Sequence, residues 1–150
     1  MGYYVLYYHI IFRTYRSMMT IPIEHERELY GYINGIIKNS GCKLFRIGGM
    51  PDHIHMLVSI PTHIKISDFV KTVKLSSQKW LKANPHFNGF MGWGEGYAVF
   101  SYGRNDFEII RNYIINQKKH HVSETFANEY RRLIIENGGE INEQYFLRDD

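Results

Sequence analysis

The chain has 150 residues, enough for one domain with a buried core and too few for two. Hydrophobic residues make up 44% and charged residues 22%, which excludes a disordered tail, a collagen-like repeat and a coiled coil. A net charge of +3 names no partner, and the lone Cys42 has no second cysteine for an intrachain disulfide, so nothing calls for an oxidising compartment.

No run of about 18 apolar residues is present, and the start MGYYVLYYHIIFR lacks a basic n-region and a cleavage-like end. A cytoplasmic protein with no membrane segment is expected. Aromatic residues are abundant at 15%, with 12 Tyr, 9 Phe and 2 Trp. Flat rings stack on bases and also fill cores, so the excess is open to both readings.

Residues 3–13, β-branched and aromatic throughout, predict a first strand. A helix is expected from about Ile21, with Thr20 as its cap, Pro22 in its first turn and Leu29, Ile33, Ile36 and Ile37 as its apolar stripe. Ser40, Gly41 and Cys42 stop it. Residues 42–50 and 53–60 predict two further strands around a turn at Met50, Pro51 and Asp52.

A second helix is expected over 67–83, with Phe69, Val70, Val73, Trp80 and Leu81 on one face. A glycine-rich loop then leads into a fourth strand at 97–102. Asn105 and Glu108 have capping-box spacing for a helix over 106–119, and a last helix spans 123–137, ended by Gly138 and Gly139. The order β-α-β-β-α-β followed by helices predicts an α+β fold of the ferredoxin-like, RRM-like split βαβ type. It would carry an antiparallel sheet of four to five strands with helices on one face. One domain covers 1–150, with C-terminal helices at about 106–137 and a tail at 138–150.

His53 and His55 are two apart on a predicted strand, so both point to the same face while Ile54 points to the other. Two adjacent imidazoles make a natural pair of metal ligands; they are also what the polar half of an alternating strand looks like. Tyr113 and Gln117, four apart, share a helix face. Gln117 falls at the edge of the stripe of Phe107, Ile110 and Ile114, where a packed helix prefers an aliphatic residue. A boundary aromatic with a solvated neighbour would look the same.

Between Lys65 and Lys82 five lysines oppose Asp68 alone. Lys71, Lys74, Gln78 and Lys82 cluster on one flank of that helix, and Ser76 and Ser77 lie beside them. Such a row suits the phosphates of a polyanion, although charge runs are as often solvated faces. Arg13 adds positive charge at a strand end. His9, His120 and His121 read as polar contacts, and Cys42 has no partner base.

Together, PDHIHMLVSIP at 51–61, the lysine helix, WGEGYAVFSYGR at 93–104 and NYIINQKKHH at 112–121 resemble the single-tyrosine HUH transposases (TnpA type) of bacterial insertion sequences that move as single-stranded DNA. The order and spacing of the blocks match along nearly the whole chain, including SETFANEYRRLIIENG. The resemblance implies His53 and His55 as metal ligands, Gln117 as the third ligand, Tyr113 as nucleophile and Mg²⁺ or Mn²⁺ as the ion. It implies homodimers in which the tyrosine helix can serve the partner's histidines, and DNA with hairpins at the element's ends. The expected reaction is cleavage and rejoining through a 5′-phosphotyrosine without ATP. The alternative is a non-catalytic or domesticated ferredoxin-like protein that binds single-stranded or hairpin DNA at genomic repeats.

Overall fold

The computed structural model describes residues 2–149. Four strands, β1 (Tyr7–Arg13), β2 (Lys43–Met50), β3 (His53–Ser59) and β4 (Ala98–Tyr102), form one sheet in the order β2-β3-β1-β4. Every neighbouring pair is antiparallel. This is the split βαβ arrangement, with four strands.

The first strand begins at Tyr7, later than the aromatic run predicts, because Tyr7 is paired with Tyr102 at the end of the short β4. Tyr3, Tyr4 and Val5 lie beyond that partner and are exposed. Two helices, α1 (Glu26–Asn39) and α2 (Ile66–Ala83), pack on one sheet face. Ile10 and Phe12 of β1 and Ile54, Met56 and Val58 of β3 meet Leu29, Ile33, Ile37, Val73 and Leu81 in the main core. Thr20 does not cap α1: a short turn, Ile23–His25, intervenes after Pro22. Glu26 and Glu28 then occupy the first helical turn, where carboxylates favour the positive end of the helix dipole.

Three C-terminal helices cover the other face: α3 (Phe107–Ile115), α4 (Gln117–His120) and α5 (Phe126–Glu136). Ile11 and Ala98 meet Phe126 and Leu133 there in a second, smaller core. The helix expected over 106–119 is therefore two helices. Asn116, at φ −95° and ψ 18°, leaves the helical path between them. The capping box does not form either, since Asn105 lies inside a short turn (Arg104–Asp106) and Asp106 flanks α3 without a side-chain cap. The last helix is capped by Thr125, whose hydroxyl accepts from the Asn128 N–H at 3.2 Å. Gly138, at φ +86°, ends it as expected.

One glycine decides how closely α3 can approach. A Cβ on Gly48 would stand 2.7 Å from the Ile114 carbonyl oxygen. Gly48 is paired with His55 in the sheet, so this bare patch of β2 lets the tyrosine helix sit beside the histidine strand.

Candidate active site

The alternation of β3 sends His53 and His55 to the face under α3–α5, where both are fully buried. Each ring is oriented from behind. His53 Nδ1 donates to Asp52 Oδ1 at 2.7 Å, and His55 Nδ1 stands 2.8 Å from His9 Nε2. A ligating histidine is commonly held by a partner on its other nitrogen, which leaves Nε2 free for an ion. Both Nε2 atoms here point into the same space.

Tyr113 and Gln117 face that space from across the bend at Asn116. Gln117 is buried, its amide donates to Glu129 Oε2 at 2.8 Å, and its carbonyl oxygen faces His53 Nε2 at 3.1 Å. The Tyr113 hydroxyl donates to Glu129 Oε2 and accepts from Arg132 at 2.9 Å. Its ring centroid is 6.0 Å from that of His55. The four residues singled out in the sequence as nucleophile and metal ligands thus meet within one chain.

Glu129 sits at the centre of the group and was not anticipated. Its Oε1 lies 3.3 Å from His53 Nε2, 3.1 Å from His55 Nε2 and 3.0 Å from His121 Nε2. A signal existed: Glu129 shares the buried face of α5 with Phe126 and Leu133, an acid where periodicity calls for an apolar residue.

The charges follow from this packing. Burial drives the His55 pKa down to about 4 against the opposing pull of Glu129. Burial also lowers that of His53, but hydrogen bonds to Asp52 and Glu129 outweigh it and leave the group above its ordinary value. Burial would raise Glu129, yet the three imidazoles around it hold it well below the usual carboxylate range. Tyr113 is raised, first by burial and then by Glu129, with Arg132 pulling the other way.

The donor set suits a divalent cation. Two imidazole nitrogens, an amide oxygen and a carboxylate oxygen converge, and those of His53, His55 and Glu129 lie within 4.8 Å of one another. With Nδ1 of His53 donating to Asp52, the Nε2 of a neutral ring faces two acceptors, Gln117 and Glu129, so the centre calls for positive charge. Mixed nitrogen and oxygen ligands of this kind are compatible with Mn²⁺ and Mg²⁺. Two clefts open beside the group. One of about 410 Å³ is lined by Asp52, His121 and Glu124, and another of about 320 Å³ by His9, Tyr113 and Arg132.

The basic residues are arranged differently. Because α2 lies on the opposite sheet face, its lysine row is not brought to the histidines. Lys71 and Lys82 are exposed. Lys74 instead donates to the carbonyls of Gly94 and Gly96 at 2.9 and 2.6 Å, and burial lowers its pKa to about 8. Gln78 accepts from the Trp93 N–H at 3.1 Å, and Ser77 from the Trp93 indole at 3.0 Å. Arg13 is buried and paired with Asp149 at 2.5 and 3.0 Å. Lys74, Ser77 and Gln78 therefore clamp the glycine-rich loop, and Arg13 holds the tail.

The family model for IS200-like transposases matches residues 2–117. The chain belongs to this family. A curated member, the ISDra2 transposase TnpA of Deinococcus radiodurans, is 29% identical over 119 residues, covering 76% of this chain and 85% of that protein. A crystal structure of a transposase from D. radiodurans R1 is 29% identical and superposes with a TM-score of 0.58, covering 78% of this chain and 95% of the other. A REP-associated tyrosine transposase bound to a REP hairpin shares the fold at 16% identity and a TM-score of 0.57, over 80% of this chain and 72% of its own. IS200-like membership makes this a DNA-processing chain of the transposase class. No helix among the described residues is long and apolar enough to cross a membrane.

Proposed function

We propose that this IS200-like transposase cleaves and rejoins single-stranded DNA at the ends of an insertion sequence, with Tyr113 as nucleophile. His53, His55 and Gln117 would hold a divalent ion, Mg²⁺ or Mn²⁺. The observation that carries this reading is the convergence of the Tyr113 hydroxyl and the Gln117 side chain on the His53–His55 pair, around one buried carboxylate. A binding module has no need of a phenol at that position.

The residues divide the work. Asp52 and His9 fix the two imidazoles, and Tyr113 at the end of α3 and Gln117 at the start of α4 reach the same carboxylate from either side of the bend at Asn116. A divalent ion held by His53, His55 and Gln117 would supply polarisation of a non-bridging phosphate oxygen and orientation of the scissile bond. The Tyr113 oxygen would form a bond to phosphorus and give up its proton as the bond to the 3′-oxygen breaks and that oxygen takes up a proton, leaving a 5′-phosphotyrosine and a free 3′-hydroxyl. A second 3′-hydroxyl reverses the step, so the bond energy is conserved and no ATP is required. In the free protein the phenol is tied to Glu129 and its pKa is raised, so attack requires that this hydrogen bond be given up.

We read Tyr113 as acting on the histidines of its own subunit, since it stands beside His55 of the same chain. A homodimer, hairpin DNA as ligand and a cytoplasmic setting are proposed from family membership. Lys71 and Lys82 are exposed cations of α2, as is Lys79, and are available to DNA phosphates.

The test is a denaturing gel with labelled single strands from the flanks of the gene, with wild type or Tyr113→Phe, in Mn²⁺ or EDTA. A labelled protein band that requires both Tyr113 and metal is the expected result. A native-gel shift without any such band would assign the chain to DNA binding alone.

A further inference from the structure

The match to the IS200-like family ends at Gln117, and Glu129 lies twelve residues beyond it on α5. We propose that Glu129 is a direct ligand of the divalent ion, so that the site is His53, His55, Gln117 and Glu129. This rests on the reading of the histidine pair as a metal site given above.

Three observations carry it. The first is spacing. Ligands of an octahedral ion bonded at about 2.1 Å stand about 3.0 Å from their neighbours. Glu129 Oε1 is 3.3 Å from His53 Nε2 and 3.1 Å from His55 Nε2, and Gln117 Oε1 is 3.1 Å from His53 Nε2. These separations match the edges of such a ligand polyhedron.

The second is orientation. The two oxygens of Glu129 are used differently. Oε2 is taken by the Tyr113 hydroxyl and the Gln117 amide, while Oε1 is turned to the imidazoles. His121 Nε2, at 3.0 Å, steadies Oε1 from the side. With Oε2 satisfied by the phenol and the amide, Oε1 is the oxygen left facing the two imidazole Nε2 atoms.

The third is chemistry. Two imidazoles and one amide form a neutral set, and imidazole is softer than Mg²⁺ prefers. Sites for Mg²⁺ generally include at least one carboxylate. Glu129 is fully buried and is the carboxylate that the structure places against both Nε2 atoms. The consequence is a coupling: the ion would tie α5 to β3, and the far oxygen of its own ligand would hold the nucleophile.

The test measures Mn²⁺ binding to the purified full-length chain by titration calorimetry, without DNA. Wild type is compared with Glu129→Gln and with His53→Ala/His55→Ala. The expected result is loss of the site in the histidine variant and at least about tenfold weaker binding in Glu129→Gln. Equal or tighter binding in Glu129→Gln, with the site lost in the histidine variant, would overturn the proposal and leave the metal site standing; Glu129 would then be a counter-ion that the metal displaces. Binding unchanged in the histidine variant would overturn the metal reading itself, and the proposal with it. Should Glu129→Gln fail to fold, pulsed EPR of Mn²⁺ on wild type carrying ¹³C in its glutamate carboxyls decides the matter. A carboxylate hyperfine coupling supports ligation, and its absence overturns it.

Discussion

On β3, Ile54, Met56 and Val58 turn towards α1 and α2, while His53 and His55 turn towards α3–α5, and all five are fully buried. The two faces of the sheet are equally dry and differ in what fills them. Beneath α1 and α2 the contacts are apolar and non-directional, so that face contributes stability. Beneath α3–α5 a small apolar cluster of Ile11, Ala98, Phe126 and Leu133 borders a network of histidines, Gln117, Glu129 and Tyr113. In a low-dielectric interior a polar network is directional and demands that each group be satisfied. The contrast shows that burial alone does not mark an apolar core: the same strand builds one on one side and a polar network on the other.

If the division holds, substitutions on the two faces separate chemistry from stability. Tyr113→Phe removes one oxygen and should abolish the covalent adduct altogether, with the melting temperature shifting by only a few degrees. A gel assay beside a thermal melt reads both. On the opposite face, Met56→Ala should cost about 2–5 kcal/mol of stability through the cavity it leaves. Adduct formation should persist below the new melting temperature. Loss of chemistry in Met56→Ala at temperatures where it is folded would break the comparison.

The tail offers a smaller effect. Asp149 accepts from Arg13 and from the backbone N–H groups of Arg16 and Glu95, at 2.6 and 2.7 Å for the last two. Burial pushes its pKa up, but these donors outweigh it and hold the carboxyl below the ordinary 3.8. A lowered pKa stabilises the fold above the unfolded value, and this contribution is lost as pH falls through the folded one. Asp149→Asn should therefore cost about 1–3 kcal/mol near neutrality. The gap between the variant and wild type should narrow as pH drops below 3.8, as followed by denaturant melts across pH.

The smallest effects are expected on α2. Lys71→Ala and Lys82→Ala should each leave stability within about 0.5 kcal/mol of wild type. For any phosphate contact they make, the salt-dependence slope of DNA binding should fall by about one per lysine. An unchanged slope would show that these α2 lysines are a solvated face and make no phosphate contact.

Several elements were legible from local pattern. The alternation of β3 separated Ile54 from the two histidines, and the spacing of Tyr113 and Gln117 put them on one face; both hold in three dimensions. Position along the chain served less well for the basic residues. Lys74, Gln78 and Arg13 look alike as surface cations or polar groups, but the glycine-rich loop and the tail fold back onto them. Glu129 was hidden for a related reason. An acid on an apolar stripe is legible as an anomaly, but its partners lie 74 and 76 residues away on β3.

The sequence by itself determined the order of the strands, the face on which each β3 side chain emerges, and the four-residue spacing of Tyr113 and Gln117. These follow from backbone periods of 2 and 3.6, which act over a few residues. Only the tertiary structure decided that Asn116 breaks the tyrosine helix, that Lys74 with Ser77 and Gln78 clamps a loop, and that a carboxylate from α5 enters the histidine cluster. Those outcomes depend on which distant groups share a desolvated space, where each polar atom must find a partner from whatever element packs above it.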